Sequence, residues 1–290
     1  MPKGVDRDMK VKEVMSKELI VTYVPGTVKD ALRTLAKYNV SGMPVINKNT
    51  NELAGVVTRS DIFRNPDEEQ LALVMSSNPF VIGPDDDVKK AARLFYENRI
   101  HGLPVIDKNK KLVGIISPTE LLNLVVDKDG RLVEKYLSDV CIPVYQETPL
   151  PVLMEIITIT NESALPVLNN DLKLAGIVTD GDLFKLSHIK ESVSVSDFGL
   201  GDDEDAWTWE GIRDVLRLYY STSKVDLPQV PVSEIMVTEV IKAFRSTPIS
   251  EIAETMLKKK INQMPVVDSD ERLKGMVTDI DLMRAIYEED

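Results

Sequence analysis

Four segments of this sequence that read glycine and two apolar residues are each followed by a hydroxyl side chain, and a carboxylic acid comes three residues after that hydroxyl. The pairs are Thr58 with Asp61, Ser117 with Glu120, Thr179 with Asp182, and Thr278 with Asp281. This spacing is that of a capping box, in which both side chains satisfy free N–H groups at the start of a helix without any ligand. The same position favours an anionic ligand, because the unpaired N–H groups and the positive end of the helix dipole attract negative charge. The spacing alone leaves both interpretations open.

Each pair belongs to a longer pattern that recurs along the chain. Its first half ends in Pro-Val and leads into an apolar strand, at residues 41–45, 101–105, 163–167 and 262–266. The second half reads glycine, two apolar residues, hydroxyl, two variable residues and acid, at residues 55–61, 114–120, 176–182 and 275–281. Turn-forming residues separate the halves, and amphipathic helical patterns flank them. The unit is therefore predicted to be strand, helix, hairpin and helix.

A unit of roughly sixty residues, with a three-stranded sheet and two helices, cannot bury its sheet alone. We therefore expect an α/β (α+β) fold in which repeat 1 pairs with repeat 2, and repeat 3 with repeat 4. The predicted boundaries of the repeats are 9–66, 71–128, 134–188 and 230–290. Residues 189–229 break the period and form an insertion.

The insertion has an unusual composition. An acidic run at residues 202–205 precedes Trp207 and Trp209, and an amphipathic helical pattern covers residues 210–219. One interpretation is a docking element for a partner, or a flap over the pair formed by repeats 3 and 4. The other is a linker helix whose apolar side packs on the core.

The two half-patterns, repeated four times in the same order, resemble the cystathionine-β-synthase (CBS) domain family. Paired CBS repeats form a Bateman module, and the layout is similar to that of the γ subunit of AMP-activated protein kinase. The resemblance covers nearly the whole chain and implies two modules. In that family an adenosyl ligand lies in the cleft between paired repeats, with the acid on the ribose hydroxyls and the Thr or Ser near the ribose or phosphate. A carboxylate suits this role, since its oxygens can accept from two vicinal hydroxyls at roughly 1.5 to 3 kcal/mol per bond.

The resemblance assigns ligand-binding roles residue by residue. The hydroxyl and acid roles fall to Thr58 and Asp61, Thr179 and Asp182, and Thr278 and Asp281. Ser117 and Glu120 rank lowest, because Pro118 and a glutamate favour capping and the longer acid would crowd a ribose. The adenine would contact apolar strand residues just ahead of a helix. The candidates are Ile20, Val21, Phe80, Val81, Val240 and Ile241.

Charged residues near these pairs bear on the identity of the ligand. His101 stands where some kinase γ-subunit repeats place a phosphate-contacting histidine, and Arg59 and Arg99 could bring positive charge to the cleft of the first module. Turn-filling or solvent-exposed roles explain the same residues. No repeat has an arginine directly before its proline, unlike the kinase subunit, and Asp180 and Asp279 would repel a phosphate. The candidate ligands are AMP, ADP, ATP, S-adenosylmethionine and methylthioadenosine, and no covalently bound cofactor is expected.

Composition argues against several other classes of protein. No run approaches the roughly 20 apolar residues of a membrane span, and the N-terminus lacks an apolar signal core, so we expect the cytoplasm. Cys141 is the only cysteine, and His101 and His188 are the only histidines, which is too few for a Cys/His zinc site. The formal net charge of −12 gives no basic field for nucleic acid or anionic lipid.

These observations favour a non-catalytic regulatory sensor. Adenosyl binding would change how the modules pack, and a protein partner or a second copy would read the change through the module faces. The rival is a ligand-free interaction scaffold, in which capping explains all four acids. An enzyme would need a nucleophile–base pair, a metal cluster or a phosphate-cradling glycine loop, and the sequence offers no sign of one.

Overall fold

The structure, a computed structural model, describes residues 9–65, 67–128, 130–184, 186 and 227–288. The strands are β1 Thr22–Val24, β2 Gly42–Asn47, β3 Leu53–Thr58, β4 Leu103–Ile106, β5 Leu112–Ile116, β6 Val144–Tyr145, β7 Ala164–Leu168, β8 Leu174–Thr179, β9 Ala243–Phe244, β10 Gln263–Val267 and β11 Leu273–Thr278. The helices are α1 Val11–Val14, α2 Val28–Tyr38, α3 Arg59–Arg64, α4 Leu71–Val74, α5 Val88–Asn98, α6 Pro118–Val126, α7 Leu150–Thr160, α8 180–184, α9 Ile249–Lys259, α10 Asp279–Leu282 and α11 Arg284–Tyr287. Within these ranges no helix is long and apolar enough to cross a membrane.

Most of the predicted insertion lies outside the described residues. Only its last three positions, 227–229, are described, so Trp207, Trp209 and the helix predicted at residues 210–219 fall outside them. The boundaries drawn for the four repeats stay predictions.

Three of the four repeats form the predicted three-stranded sheet. The middle strand pairs in parallel with a short first strand and antiparallel with the last, in the orders β1-β2-β3, β6-β7-β8 and β9-β10-β11. Repeat 2 differs from the prediction, since its sheet has only β4 and β5, and the first strand shrinks to a single bridge between Ile82 and Val105. Gly83 and Pro84 follow Ile82, and a proline has no N–H with which to continue a ladder.

The first helix of each repeat has a defined start and end. In α2 the hydroxyl oxygen of Thr27 accepts the Asp30 N–H at 3.1 Å and so caps the helix. The four long first helices all end in a residue with left-handed backbone, with φ between 50° and 59°. These residues are Asn39, Arg99, Asn161 and Lys260. Asparagine tolerates this conformation better than arginine or lysine, so the cap at Arg99 is a position that sequence alone does not favour.

Paired repeats exchange the segments that precede their first strands. Ser16, from repeat 1, pairs with Ile115 in β5 of repeat 2, and Ser76, from repeat 2, pairs with Val56 in β3 of repeat 1. The second half of the chain repeats the exchange, through hydrogen bonds from Ser138 to β11 and between residue 237 and β8. This reciprocal exchange confirms the predicted pairing into two modules.

The exchange explains the glycine that opens the second half-pattern in repeats 2 and 3. A Cβ atom at Gly114 would lie 2.4 Å from Met15 Sδ, and one at Gly176 would lie 2.6 Å from Met236 Sδ. Both methionines belong to the segment donated by the paired repeat. Glycine is therefore required here by close approach of the other repeat rather than by backbone conformation.

Helices also meet across the two modules. Repeats 2 and 4 share one hydrophobic core, in which α6 packs against α9 and α5 against α11. Repeats 1 and 3 meet more locally, where the rings of Phe63 and Phe184 lie 6.1 Å apart. Each repeat therefore has one neighbour within its module and another in the opposite module.

Candidate functional site

All four hydroxyl–acid pairs form capping boxes at helix N-termini. The backbone N–H and hydroxyl of Thr58 donate to Asp61 Oδ2 at 2.9 and 2.7 Å, and the Asp61 N–H donates to Thr58 Oγ1 at 3.2 Å. Thr179 and Asp182 repeat this geometry, at 3.0, 2.7 and 3.3 Å. The capping interpretation is thus satisfied at every pair. A ligand must use whatever acceptor capacity the caps leave.

In repeats 1 and 3 the caps leave one carboxylate oxygen over. Asp61 and Asp182 are partly exposed, and their Oδ1 atoms accept no hydrogen bond from the described residues. An ionised carboxylate has about four lone-pair sites, so each acid can still accept from vicinal hydroxyls. Because the cap fixes the side chain, its free oxygen is already oriented.

The acid of repeat 4 has no such capacity. Asp281 is only 2% exposed, and its Oδ2 accepts from the backbone N–H and hydroxyl of Thr278 and from the hydroxyl of Ser138. Its Oδ1 accepts from Arg99 Nη1 at 2.6 Å. Ser138 comes from the segment donated by repeat 3, and Arg99 comes from repeat 2. A ribose could reach this acid only by displacing one of them.

The pair of repeat 2 acts as a cap. Both the backbone N–H and the hydroxyl of Ser117 donate to Glu120 Oε2, and the buried Pro118 occupies the first helical position. Capping of this kind was expected from Pro118 and the glutamate, and it is the reason that the sequence analysis ranks this pair lowest of the four. Its ligand-binding role stays a prediction.

Arg59 crosses from repeat 1 to repeat 3, a direction that the sequence did not predict. Its Nη1 lies 3.8 Å from Asp180 Oδ2, and its guanidinium lies over the ring of Phe184, 5.0 Å from the centroid. The side chain is only 8% exposed, and its Nε has no hydrogen-bond partner among the described residues. The positive charge expected in the first module's cleft therefore lies against the second module.

Arg99 and His101 likewise face the second module. His101 Nδ1 lies 3.9 Å from Asp279 Oδ1, and with Arg99 it lines a cavity of about 220 Å³ beside Thr278. Residues 160–164 of repeat 3 form another wall. Ligand pockets usually exceed roughly 300 Å³, so this cavity holds part of an adenosyl ligand at most.

A larger cavity lies elsewhere and contains none of the predicted site residues. It measures about 420 Å³ and lies at the hairpin end of the repeat 4 sheet. Its lining residues are Phe244, Arg245, Ser246, Val267, Asp268 and Lys274.

Burial shifts the titration of the groups around the smaller cavity. Asp279 is 2% exposed, and burial, with a further contribution from the like charge of Asp281, raises its pKa to about 7. Burial and the nearby Arg99 charge lower the pKa of His101. Burial also raises the pKa of Glu162. At neutral pH Asp279 is therefore only partly ionised, and it repels a phosphate less than a fully charged aspartate would.

The adenine candidates are placed differently from one another. Ile20 packs against the core of repeat 1, and Ile241 packs against the shared core of repeats 2 and 4. Phe80 is 50% exposed. Their contact with adenine stays a prediction, as it does for Val21, Val81 and Val240.

Sequence reasoning missed two participants in these sites. Ser138 bonds the acid of repeat 4, and Asp180 faces Arg59, although no sequence spacing connects either residue with its partner. Charge complementarity between Arg59 and Asp180, which occupy the same position of their repeats, was the one available signal.

Comparison with known proteins identifies the repeats. A family model described as the CBS domain matches residues 11–68, 70–127, 133–189 and 232–288. A 130-residue stretch is 31% identical to inosine-5′-monophosphate dehydrogenase of Methanocaldococcus jannaschii, which covers 42% of this chain but only 26% of that enzyme. Because only about a quarter of the enzyme is matched, its activity is not carried over.

Two proteins resemble nearly the whole chain. The uncharacterised protein MJ1225 of Methanocaldococcus jannaschii is 24% identical over 302 residues, covering 96% of this chain and 98% of that protein. Its crystal structure, described as that of a proposed archaeal homologue of the AMP-activated protein kinase γ subunit, gives a TM-score of 0.76 at 22% identity over 96% and 99% of the two chains. An uncharacterised conserved protein from Pyrococcus horikoshii gives 0.64 at 25% identity over 96% and 100%. The crystal structure of MJ1225 shows that this chain and MJ1225 share the same four-repeat fold.

Proposed function

The chain belongs to the CBS-domain family, with four repeats in two modules, and from this premise we propose that it is a non-catalytic regulatory protein that binds an adenosyl ligand. The observation that carries the proposal is the free, oriented oxygen of Asp61 and Asp182. Carboxylates at this position of a CBS repeat are suited to the two hydroxyls of a ribose. Adenine nucleotides are the leading class of ligand, with S-adenosylmethionine or methylthioadenosine as the alternative.

The clefts of repeats 1 and 3 are the favoured sites. Asp281 has all its acceptor capacity engaged by Thr278, Ser138 and Arg99, and Glu120 serves as a cap. Displacing a charge-assisted bond from a buried acid costs more than using an oxygen that is already free. We therefore expect fewer bound ligands than repeats.

The non-catalytic part of the proposal is supported by the state of the single thiol. Burial, and to a smaller extent the charge of Glu162, raises the pKa of Cys141 to about 11. A thiol with this pKa is almost wholly protonated at neutral pH and is a poor nucleophile.

A partner protein, or a second copy of the chain, would read ligand occupancy. The acids lie beside the side chains that join the modules, so a ligand that engages them would shift how the modules pack. Helix α7 offers a surface for such contact, because Val152 and Ile159 are 50% and 73% exposed. The corresponding residues of the other three first helices are all charged: Asp30 and Lys37, Lys90 and Glu97, and Glu251 and Lys258.

Thermal unfolding with AMP, ADP, ATP, S-adenosylmethionine and methylthioadenosine tests the proposal. A ligand at a hundred times its Kd stabilises the folded protein by roughly 2.7 kcal/mol. We expect at least one ligand to raise Tm, and the rise to shrink in Asp61→Ala or Asp182→Ala but not in Asp281→Ala. The ligand-induced rise is compared within each variant, because losing a cap lowers Tm by itself. If no ligand raises Tm, the hypothesis of a ligand-free interaction scaffold is favoured instead.

A further inference from the structure

The outward face of α7 is apolar, whereas the other three first helices carry charged residues at the same positions. Val152 and Ile159 are seven positions apart, and so on one side of the helix, and they are 50% and 73% exposed. Leu150, Leu153 and Ile157 are buried on the opposite side. A helix that is apolar on both sides is normally covered on both, so this face calls for a partner surface.

The chain leaves and re-enters repeat 3 beside this helix. Residues 187–226 connect Leu186 with Leu227, and both leucines pack against the hydrophobic core of repeat 3. Three residues later the carbonyl of Val230 accepts the N–H of Leu150, the first residue of α7, at 3.0 Å. The connecting segment is thus tied at both ends to the repeat whose helix has the uncovered face.

The connecting segment is long enough to reach along α7. The 11 residues of α7 span about 16 Å at 1.5 Å per residue, and the amphipathic pattern at residues 210–219 has nearly the same length. Between residue 219 and Leu227 the chain can extend by up to about 27 Å at roughly 3.4 Å per residue. The pattern can therefore lie against any turn of α7 without moving Leu227.

The pattern complements the face of α7 in both polarity and charge. Its apolar positions recur with helical spacing, and they are Ile212, Val215, Leu216 and Tyr219. Arg213 and Arg217, four positions apart, border that apolar stripe. On α7 the exposed Glu155 borders the stripe formed by Val152 and Ile159. An apolar stripe edged by cations thus matches an apolar stripe edged by an anion.

From these observations we propose that residues 210–219 bind along the outward face of α7 in the same chain. The contact covers Val152 and Ile159, and it brings an arginine of the segment to Glu155. A partner that reads ligand occupancy through α7 then has to displace this segment, so the insertion and the partner compete for one surface. The contact requires no ligand, and it is therefore independent of adenosyl binding.

Amide hydrogen exchange of the full chain, followed by mass spectrometry over residues 207–220, tests this contact. A helix of about ten residues is marginal alone, so protection of these amides requires a surface to pack on. Ile159→Lys should reduce the protection about 10- to 100-fold, the factor expected for exposing one isoleucine side chain, and Ile159→Val should keep most of it. The folded helix accommodates this change, because Lys37 and Lys258 occupy the same position in α2 and α9.

Leu73→Lys is the matched control. Leu73 is also an apolar helical residue, 65% exposed, but it lies on α4 in the first module, so this variant should leave exchange of the segment unchanged. Leu216→Lys should lose as much protection as Ile159→Lys, and the double variant should lose less than the product of the two, as residues in contact do.

Three results would overturn the inference. Wild-type protein without protection over residues 207–220 would show that the segment does not dock. Equal protection in wild type and Ile159→Lys would place it on a surface other than α7. Protection that rises with protein concentration would assign the face to a second copy of the chain. None of these results bears on adenosyl binding, which the thermal unfolding experiment tests separately.

Discussion

Replacing Asp279 by asparagine should stabilise the protein, and more so at high pH. The carboxyl is 2% exposed, and its pKa rises from 3.8 to about 7 in the folded protein. Between these values the folded state holds more protons than the unfolded state, so the free energy of unfolding falls as pH rises. The groups that face this acid are Arg99, His101 and Asp281.

The size of the effect follows from the separation of the two pKa values. A difference of about 3 pH units corresponds to about 4 kcal/mol, reached once the pH exceeds 7. At pH 5 the same calculation gives roughly 1 to 2 kcal/mol, because the unfolded carboxyl is ionised while the folded one is still protonated. The Ile280 N–H donates to Asp279 Oδ1 at 2.8 Å, and an asparagine oxygen can accept that bond. Asp279→Asn should therefore remove the penalty and keep the contact.

Urea unfolding of wild-type and variant protein at pH 5 and pH 8 measures this gain. Asp268→Asn serves as the control, because hydrogen bonding to Lys274 lowers the pKa of this partly exposed acid to about 2. A carboxyl whose pKa is lowered in the folded state stabilises the protein at any pH above the pKa of the unfolded state. Both pH 5 and pH 8 lie above that pKa, so this control should lose stability equally at both. A gain for Asp279→Asn that is absent, or that is the same at pH 5 and pH 8, would refute the reasoning.

Two further predictions test the module contacts and the thiol. Gly176→Ala should destabilise the protein by about 1 to 3 kcal/mol, since its Cβ would lie 2.6 Å from Met236 Sδ. In the control Gly102→Ala the new Cβ would meet nothing closer than 3.9 Å, so the urea midpoint should change little. An equal loss of stability in the two variants would contradict the close approach of the donated segment to Gly176. Cys141, with a pKa of about 11, should react with iodoacetamide at pH 8 about 100-fold more slowly than in urea-unfolded protein. Equal rates would show that its thiol is not buried as described.

Much of the fold was predictable because its signals are local. The Thr27 cap, the hairpins and the four capping boxes depend on residues within a few positions of each other. Local spacing is recorded directly in a sequence, and fourfold repetition makes each signal stronger. The loss of the first strand in repeat 2 had a local cause as well, in Pro84, but it was not foreseen.

The candidate sites were predictable only as positions. The hydroxyl and acid of each pair had to lie together at a helix N-terminus, since a spacing of three residues fixes that. Whether an acid is open or closed depends on side chains from other repeats. Asp61 and Asp281 stand at the same position of their repeats, yet Arg99 and Ser138 engage only Asp281.

The sequence by itself determined the family, the four repeats and the hydroxyl–acid pairs that we propose as ligand-binding groups. The tertiary structure decided which groups meet each other, including Arg59 with repeat 3 and Arg99 with repeat 4. Those contacts join residues more than a hundred positions apart, and an amphipathic pattern shows which face of a helix is buried but not which helix covers it. The packing of one module against the other therefore sets which of the acids keep a free carboxylate oxygen.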